Sequence, residues 1–490
     1  MAGKALLTML VFLTVLTPSV SANQVAGLNA HLMWTSVSAA EQDRQLGLIA
    51  DAGGRMARVD VGWTSLEQTG KGQYDSWYLE RLDTLVATAE RHGVELLLTL
   101  TDSPCWASSA PETVKQGCQG EWWTRDVQRY TPTNPRDYAD ALAFLVARYG
   151  DRVAAWEIWN EPNLSFYFKA DNPPQAYTDI VRAAYPAAKA ANPSTTVIAG
   201  SLAEAPAEFT EKLLDYGIGG YFDAFSVHPY SGDASPLAPQ SDKWIQTSFA
   251  RGVPNLREVL LSYGQDKPIW LTEFGWSNTT VRGLQPWENG VDEAVQALYI
   301  EQALVKVRDW PYVPVALVYG IVDRGTNPEL RNDNFGLVRY DGSLKPAYAA
   351  FQRGAGKLAG LIPIEPGDVE VPTDPGEEPD ESDEAEDEVD SRTRRLTLGI
   401  VRKGRRFYAR GRAEPRARIQ LRGRRYLRGK KRFARRAMWT LRVRASRRGR
   451  YNLRFDPHLG AGGRWQLTAS YARSPRSVRA LATVRSGRKR

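Results

Sequence analysis

Cysteine and histidine are both scarce, with 2 and 4 copies in 490 residues. His31, His92, His228 and His458 include no pair at metal-ligand spacing, so the sequence gives no reason to expect a metal or other cofactor. No Gly-rich phosphate turn opens a helix-like segment, which sets aside the nucleotide-binding open sheets. After residue 22 no apolar run is long enough to span a bilayer. Two charge deficits divide the chain. Residues 363–391 contain no Lys or Arg, and 392–490 contain 34 Lys+Arg but only 2 Asp+Glu. The preceding part holds 30 against 54, so the whole-chain charge of +8 conceals parts of about −24 and +32.

Residues 1–22 carry Lys4, an apolar run from Ala5 to Leu16, and small residues at Val20-Ser21-Ala22. That pattern predicts a secretory signal peptide and an exported mature protein, secreted or held at the cell envelope, without a transmembrane segment. In an oxidising compartment Cys105 and Cys118 either pair or remain free thiols, and export favours pairing. The next domain is expected over 23–360, with mixed charge and many aromatics. An acidic Pro/Gly/Glu/Asp linker over 361–392 follows, too polar to bury a core. The Arg-rich remainder, 393–490, alternates apolar and polar residues, as in Trp439, Leu441, Val443 and Tyr451, Leu453, Phe455. This predicts a small antiparallel β-sandwich.

Within 23–360, apolar strand-like runs alternate with helical periodicity. The runs are Val25–Leu32, Met56–Val61, Val94–Leu100, Val153–Trp159, Thr196–Ala199, Ala224–Val227, Ile269–Thr272 and Val315–Tyr319. Between them lie amphipathic patterns such as Tyr78, Leu82, Leu85 and Ala89, closed by Gly93. Eight strand–helix units predict an α/β fold of the (β/α)8 TIM barrel type. The fourth and seventh runs end in glutamates, Glu161 and Glu273. Catalytic groups of such barrels stand at the carboxyl ends of the strands, which puts both side chains in one mouth. Two carboxylates facing each other about 5 Å apart suit retaining glycoside hydrolysis, one protonated and one ionised.

Trp159-Asn160-Glu161-Pro162-Asn163-Leu164 and Thr272-Glu273-Phe274-Gly275 resemble the fourth- and seventh-strand motifs of the clan A retaining glycoside hydrolases. The longer stretch from Trp156 is most similar to glycoside hydrolase family 39 and its bacterial exopolysaccharide-cleaving relatives, with family 5 next. The resemblance covers the eight-strand region and stops before the linker. It implies Glu161 as acid/base and Glu273 as nucleophile. It also implies Asn160 against the substrate 2-hydroxyl and Arg58 as the cation keeping Glu273 ionised. His228-Pro229-Tyr230 is similar to the clan's His-x-Tyr, the tyrosine hydroxyl bonding the nucleophile. For each of these a plain reading stands beside the functional one: a barrel ion pair for Arg58, a core histidine for His228, packing for Tyr230. Relatives often place a sugar-stacking Trp after the eighth strand, where this chain has Tyr319.

Aromatics crowd the expected mouth: Trp34, Trp63, Trp106, Trp122, Trp123, Phe166, Tyr167, Trp276 and Trp287. Rings of this kind stack on sugar C–H faces, and about half are expected in the core instead. Trp276 is carried forward as a substrate contact. The expected partner is a carbohydrate, with no nucleic acid. An anionic cell-envelope polymer is expected on the basic tail. The rival reading is a non-catalytic glycan-binding barrel tethered to the envelope, since fold alone does not imply activity.

Overall fold

The computed structural model describes residues 24–238, 242–283 and 288–369, and in the tail the strands between 399 and 485. The expected signal peptide and most of the acidic segment lie outside the described residues. The chain divides into two units, Met1–Asp374 and Pro375–Arg490.

In the first unit eight parallel strands close into a barrel in chain order. They are β1 (Val25–Asn29), β2 (Met56–Gly62), β3 (Glu95–Thr101), β4 (Ala155–Ile158), β5 (Thr196–Ala203), β6 (Ala224–His228), β7 (Ile269–Phe274) and β8 (Val315–Val318). Helices follow in turn: α1 (Ala39–Asp51), α2 (Ser76–His92), α3 (Pro135–Tyr149), α4 (Pro173–Ala191), α5 (Ala207–Asp215), α6 (Phe249–Ser262), α7 (Glu293–Val307) and α8 (Pro346–Leu358). α2 shows why they form where they do. Asp75 accepts from the Tyr78 N–H at its start, Tyr78, Leu82, Leu85 and Ala89 bury one face, and Gly93 ends it at φ +65°. β4 is shorter than its apolar run suggests because Trp159 turns out of the strand at φ +64°.

The barrel interior is layered. Its lower layer is apolar, with Met56, Leu97, Ala155, Ile198, Ala224, Trp270 and Leu317 in one cluster. Two residues further along β2, β3, β4 and β6 come Arg58, Thr99, Glu157 and Ser226, all buried. Strand alternation puts these four on the same interior side. Their outward neighbours, among them Val59, Leu98, Trp156 and Phe225, join the core beneath the helices.

Two register shifts matter for the mouth. One lies in β7 between Leu271 and Phe274. Strict alternation from the inward Trp270 would send Glu273 outward. The extra residue reverses the parity, so Phe274 joins the outer core and Glu273 faces the mouth. The other lies in β5 between Ala199 and Leu202. There Gly200 has φ +115°, and a Cβ on it would stand 2.4 Å from the Ser226 carbonyl oxygen. Only glycine fits that crossing.

Cys105 and Cys118 form a disulfide in the long loop between β3 and α3. Beyond α8, Asp368 pairs with the buried Lys357 at 2.6 Å, so the first residues of the acidic segment are tied to the barrel unit. Among the described residues no helix is long and apolar enough to cross a membrane. In the second unit the described residues form antiparallel strands. Gly399–Lys403, Arg406–Arg412 and Arg450–Phe455 make a three-stranded sheet, and Arg418–Leu427, Arg432–Phe433, Trp439–Arg444, Arg464–Tyr471 and Ser474–Arg485 a five-stranded one.

Candidate active site

The segment after β4 is anchored on every side. The Trp159 N–H donates to the Tyr138 hydroxyl from α3, and the Trp159 indole donates to the Tyr167 carbonyl, pinning the following loop. The Glu161 N–H reaches the Ser201 carbonyl at 2.8 Å, and Asn163 bonds both backbone groups of Ala203. Tyr177 from α4 accepts the Gly200 N–H and donates to the Ile158 carbonyl. Trp159, Glu161, Ser201, Glu204 and, after β3, Asp102 all have positive φ. Such backbone costs about 1–3 kcal/mol per residue and persists only where its surroundings hold it. Here it aims three strand ends into one cleft.

Glu161 and Glu273 face each other in that cleft, 8% and 7% exposed. The His228 imidazole stands between them, its Nδ1 3.0 Å from Glu161 Oε1 and 3.6 Å from Glu273 Oε2. One donor atom from each of the three residues lies within 4.8 Å of the others. Histidine spacing in the sequence does not reveal this cluster, because its members come from three strands. Its spacing would also admit a metal ion, but Arg58 Nη1 lies 2.6 Å from Glu273 Oε1 and repels a cation there.

Arg58 is the hub. Its Nε donates to Glu157 Oε2 at 2.7 Å, and its Nη2 to Asn160 Oδ1 at 2.8 Å. Asp60 lies 3.4 Å from Nη1. Burial opposes the guanidinium's charge, but Glu157, Glu273 and Asp60 outweigh it and raise its pKa. Burial likewise works against ionised Glu157, yet Arg58, His228 and the Ser226 hydroxyl carry that carboxyl below its ordinary value. With the Asn160 carbonyl oxygen taken by Arg58, its amide N–H groups remain for a ligand. The Tyr230 hydroxyl donates to Glu273 Oε2 at 2.7 Å, and Asn29 reaches Oε1 at 3.4 Å.

Glu273 is drawn toward its ionised form by the Arg58 charge. Burial raises its pKa, and His228 and Arg58 offset this only in part. Burial also pulls the His228 pKa down, but Glu273 and Glu161 more than restore it, leaving it above 6.5.

The cleft over these groups measures about 620 Å³ and is continuous through Trp34, Asp60, Asn160 and Tyr167 with a second lobe of about 470 Å³. Tyr319 lines the first lobe, its hydroxyl 3.0 Å from His31 Nε2, with Phe335 edge-on at 5.3 Å. Burial lowers the His31 pKa to about 4, so this imidazole is neutral near pH 7. Of the expected aromatics, Trp34, Phe166 and Tyr167 line the cleft. Trp63 and Trp122 are buried in the packing, and Trp123 is exposed away from both lobes. Trp106 is half-buried, its indole bonded to the Glu67 carbonyl, and Trp287 lies outside the described residues. Trp276 is corrected. It is 1% exposed, packs on Phe249, Phe274 and Tyr299, and bonds the Ala234 carbonyl, so it cannot stack on a sugar. Sequence reasoning overlooked Glu157, Glu204, Arg324, Arg331 and Phe335. Only Glu157 carried a signal, as a charge two residues beyond an inward Ala155 in a buried strand.

A closed barrel with a strand-four and a strand-seven glutamate across its mouth defines the clan A glycoside hydrolase class. Within that class the chain belongs to the family Cellulase (glycosyl hydrolase family 5), whose model matches residues 16–307. This is the second of the two families its motifs resemble. A "Probable mannan endo-1,4-beta-mannosidase F" from Aspergillus flavus is 34% identical over 108 residues, 21% of this chain and 20% of that protein. The match thus spans about a fifth of that relative's length. A family 39 glycoside hydrolase from the gut symbiont Bacteroides cellulosilyticus superposes with TM-score 0.54 at 20% identity, covering 87% of this chain and 80% of that one. A GH5_18 structure from Streptomyces cattleya, in complex with GlcNAc, gives 0.52 at 17% identity, covering 71% and 86%. At these identities the likeness establishes the fold.

Proposed function

We propose that this chain is an exported retaining glycosidase working by double displacement. The observation that carries the reading is the approach of Glu161 and Glu273 to within 4.8 Å across the cleft. Retaining enzymes hold their carboxyl groups about 5–5.5 Å apart, whereas inverting enzymes leave about 6.5–9.5 Å for a water. Protonated Glu161 gives its proton to the leaving glycosidic oxygen. Ionised Glu273 attacks the anomeric carbon and forms a glycosyl ester. Glu161 then takes a proton from water, which displaces Glu273 and restores the original anomeric configuration. Arg58 and Tyr230 hold both oxygens of Glu273, and the free Asn160 amide is set to bond the sugar 2-hydroxyl. The curated relative's name makes β-1,4-mannan a first polymer to try. Proton NMR of the first product anomer tests the mechanism: retention is expected, and inversion by the wild type would overturn it.

A further inference from the structure

The long loop between β8 and α8 places two arginines, Arg324 and Arg331, in the wall of the catalytic cleft. Arg324 lies over the Trp34 ring at 4.4 Å and donates to the Tyr319 hydroxyl at 3.3 Å. Arg331 lies over Phe335 at 4.8 Å and Tyr230 at 5.4 Å. Its Nε is shut off from solvent and has no hydrogen-bond partner. Among the described residues neither guanidinium forms an ion pair with a carboxylate. Elsewhere on the barrel unit, Arg148 pairs with Asp83, Arg152 with Glu90 and Arg353 with Glu301.

Arg324 is exposed at the rim, where water serves its donors, whereas Arg331 is half-buried, and a cation drawn out of water without an anion is costly. Burial duly pulls the Arg331 pKa down, with only tyrosines and Glu161 acting against it. Neutralising Glu273 is not the reason for the pair, since Arg58 already contacts that carboxylate at 2.6 Å. The aromatic faces hold both forks in place, and for Arg331 they leave the buried Nε donor unsatisfied. What matches an unpaired, pre-positioned guanidinium is a planar or tetrahedral oxyanion, bound through two parallel N–H···O bonds.

We propose that Arg324 and Arg331 form an oxyanion subsite, so that the glycan cleaved here carries an acidic group on the sugar seated beside Tyr319. Resting on the glycosidase reading above, this adds the substrate class: an acidic glycan, its charge a uronate carboxylate or a sulfate ester. Cellulose and mannan, the polymers named by the family and its curated relative, are neutral. The cleft carboxylates Asp60, Glu161, Glu204 and Glu273 are no obstacle. Arg58 already contacts Asp60 and Glu273, Glu161 is to be protonated at the moment of attack, and burial raises the Glu204 pKa to about 7.

The test uses the full chain on matched pairs of soluble oligosaccharides. Fragments of alginate, hyaluronan, xanthan and glucuronoxylan are each assayed beside their carboxyl-reduced forms, and fragments of carrageenan beside their desulfated forms. The wild type should cleave an acidic member with kcat/KM about tenfold or more above its neutral counterpart. Whether the uronate or the sulfate pair shows this preference identifies the oxyanion. Arg331→Gln should remove most of the preference, lowering kcat/KM on the acidic form about tenfold more than on the neutral form, and Arg331→Lys should restore part of it. The basic tail is common to all variants, so its own attraction for acidic sugars cancels. Equal rates on both members, or equal losses in Arg331→Gln, would overturn the subsite. If nothing is cleaved, the hydrolytic reading fails for these glycans, and binding to Glu273→Gln decides the subsite separately. A preference for the acidic form that disappears in Glu273→Gln/Arg331→Gln supports it, and the absence of a preference overturns it.

Discussion

One guanidinium, Arg58, ties together residues that play different parts in the site. It contacts Glu157 below, Glu273 beside and Asn160 above, within 2.8 Å of each. Its role is positional, and the chemistry falls to the two glutamates. Glu273→Ala should abolish turnover on a natural glycoside, because the attacking oxygen is lost. An added small anion such as azide should then restore cleavage of an activated aryl glycoside, giving the inverted glycosyl azide. Glu161→Ala should lose activity most with poor leaving groups, and azide should rescue it with retention. The opposite pattern would exchange the two roles. The environment of Glu273 also sets a pH dependence. Burial raises its pKa above the ordinary 4.5, and Glu273 must be ionised to attack. As pH falls through the raised value the carboxylate gains a proton and the reaction stops. The acid limb of kcat/KM is therefore expected above 4.5, and a limb at or below that value would mean that His228 and Arg58 dominate over burial.

At the level of elements, the site depends on two irregular strands. In β5 the shift at Gly200 and Ser201 carries the Ser201 N–H to the Ser226 hydroxyl at 2.7 Å and its carbonyl to the Glu161 N–H. Gly200→Ala would bring a Cβ against the Ser226 carbonyl at 2.4 Å with φ still at +115°. A loss of about 3 kcal/mol or more is expected, read as a lower urea midpoint, with activity falling as Glu161 loses its support. These shifts also mark what could be read from the sequence. The strands were legible because each is an apolar run bounded by turns, and Glu161 and Glu273 because each closes such a run. The β7 shift was not legible. Counting by twos from Trp270 points Glu273 outward, and no local pattern announces the extra residue. Of the polar layer, Thr99 and Ser226 were equally hidden, because strand register decides which side chains share a level with Glu157. Trp276, just past the second motif, has the sequence context of a cleft aromatic. The turn after β7 instead folds its ring against Phe249 and Tyr299. Arg324 and Arg331 sit in a loop without periodicity, and only the closed barrel brings them to Tyr319 and Tyr230.

For the whole molecule, the division of charge calls for an explanation that the cleft does not provide. Residues 392–490 carry a net charge of about +32, and of their 34 basic side chains only 4 are lysine. Small domains stay soluble with net charges of about 2–8 in magnitude, so solubility alone does not account for this excess. Guanidinium groups suit carboxylates and phosphates, and the described strands carry them at frequent intervals, as in Arg418–Leu427. An intracellular chain of this kind would suggest nucleic acid as the partner. With the export expected from residues 1–22, an anionic envelope polymer or acidic polysaccharide becomes the better match. A basic anchor would then hold the barrel near an acidic substrate, the same chemistry that the unpaired cleft arginines favour from an independent observation. If the Asp/Glu-rich segment before the tail competes in cis, binding will be weaker than the tail's charge alone implies. Sedimentation of the full chain with cell-wall material, beside a version ending at Asp374, tests the anchor. At about 20 mM salt the full chain should pellet and the shorter one remain in solution. Raising the salt to about 0.5 M should release the full chain, because screening shortens the reach of surface charge to a few ångströms. If the full chain stays in the supernatant at low salt, or pelleting is insensitive to salt, charge is not what holds it and the anchor reading fails.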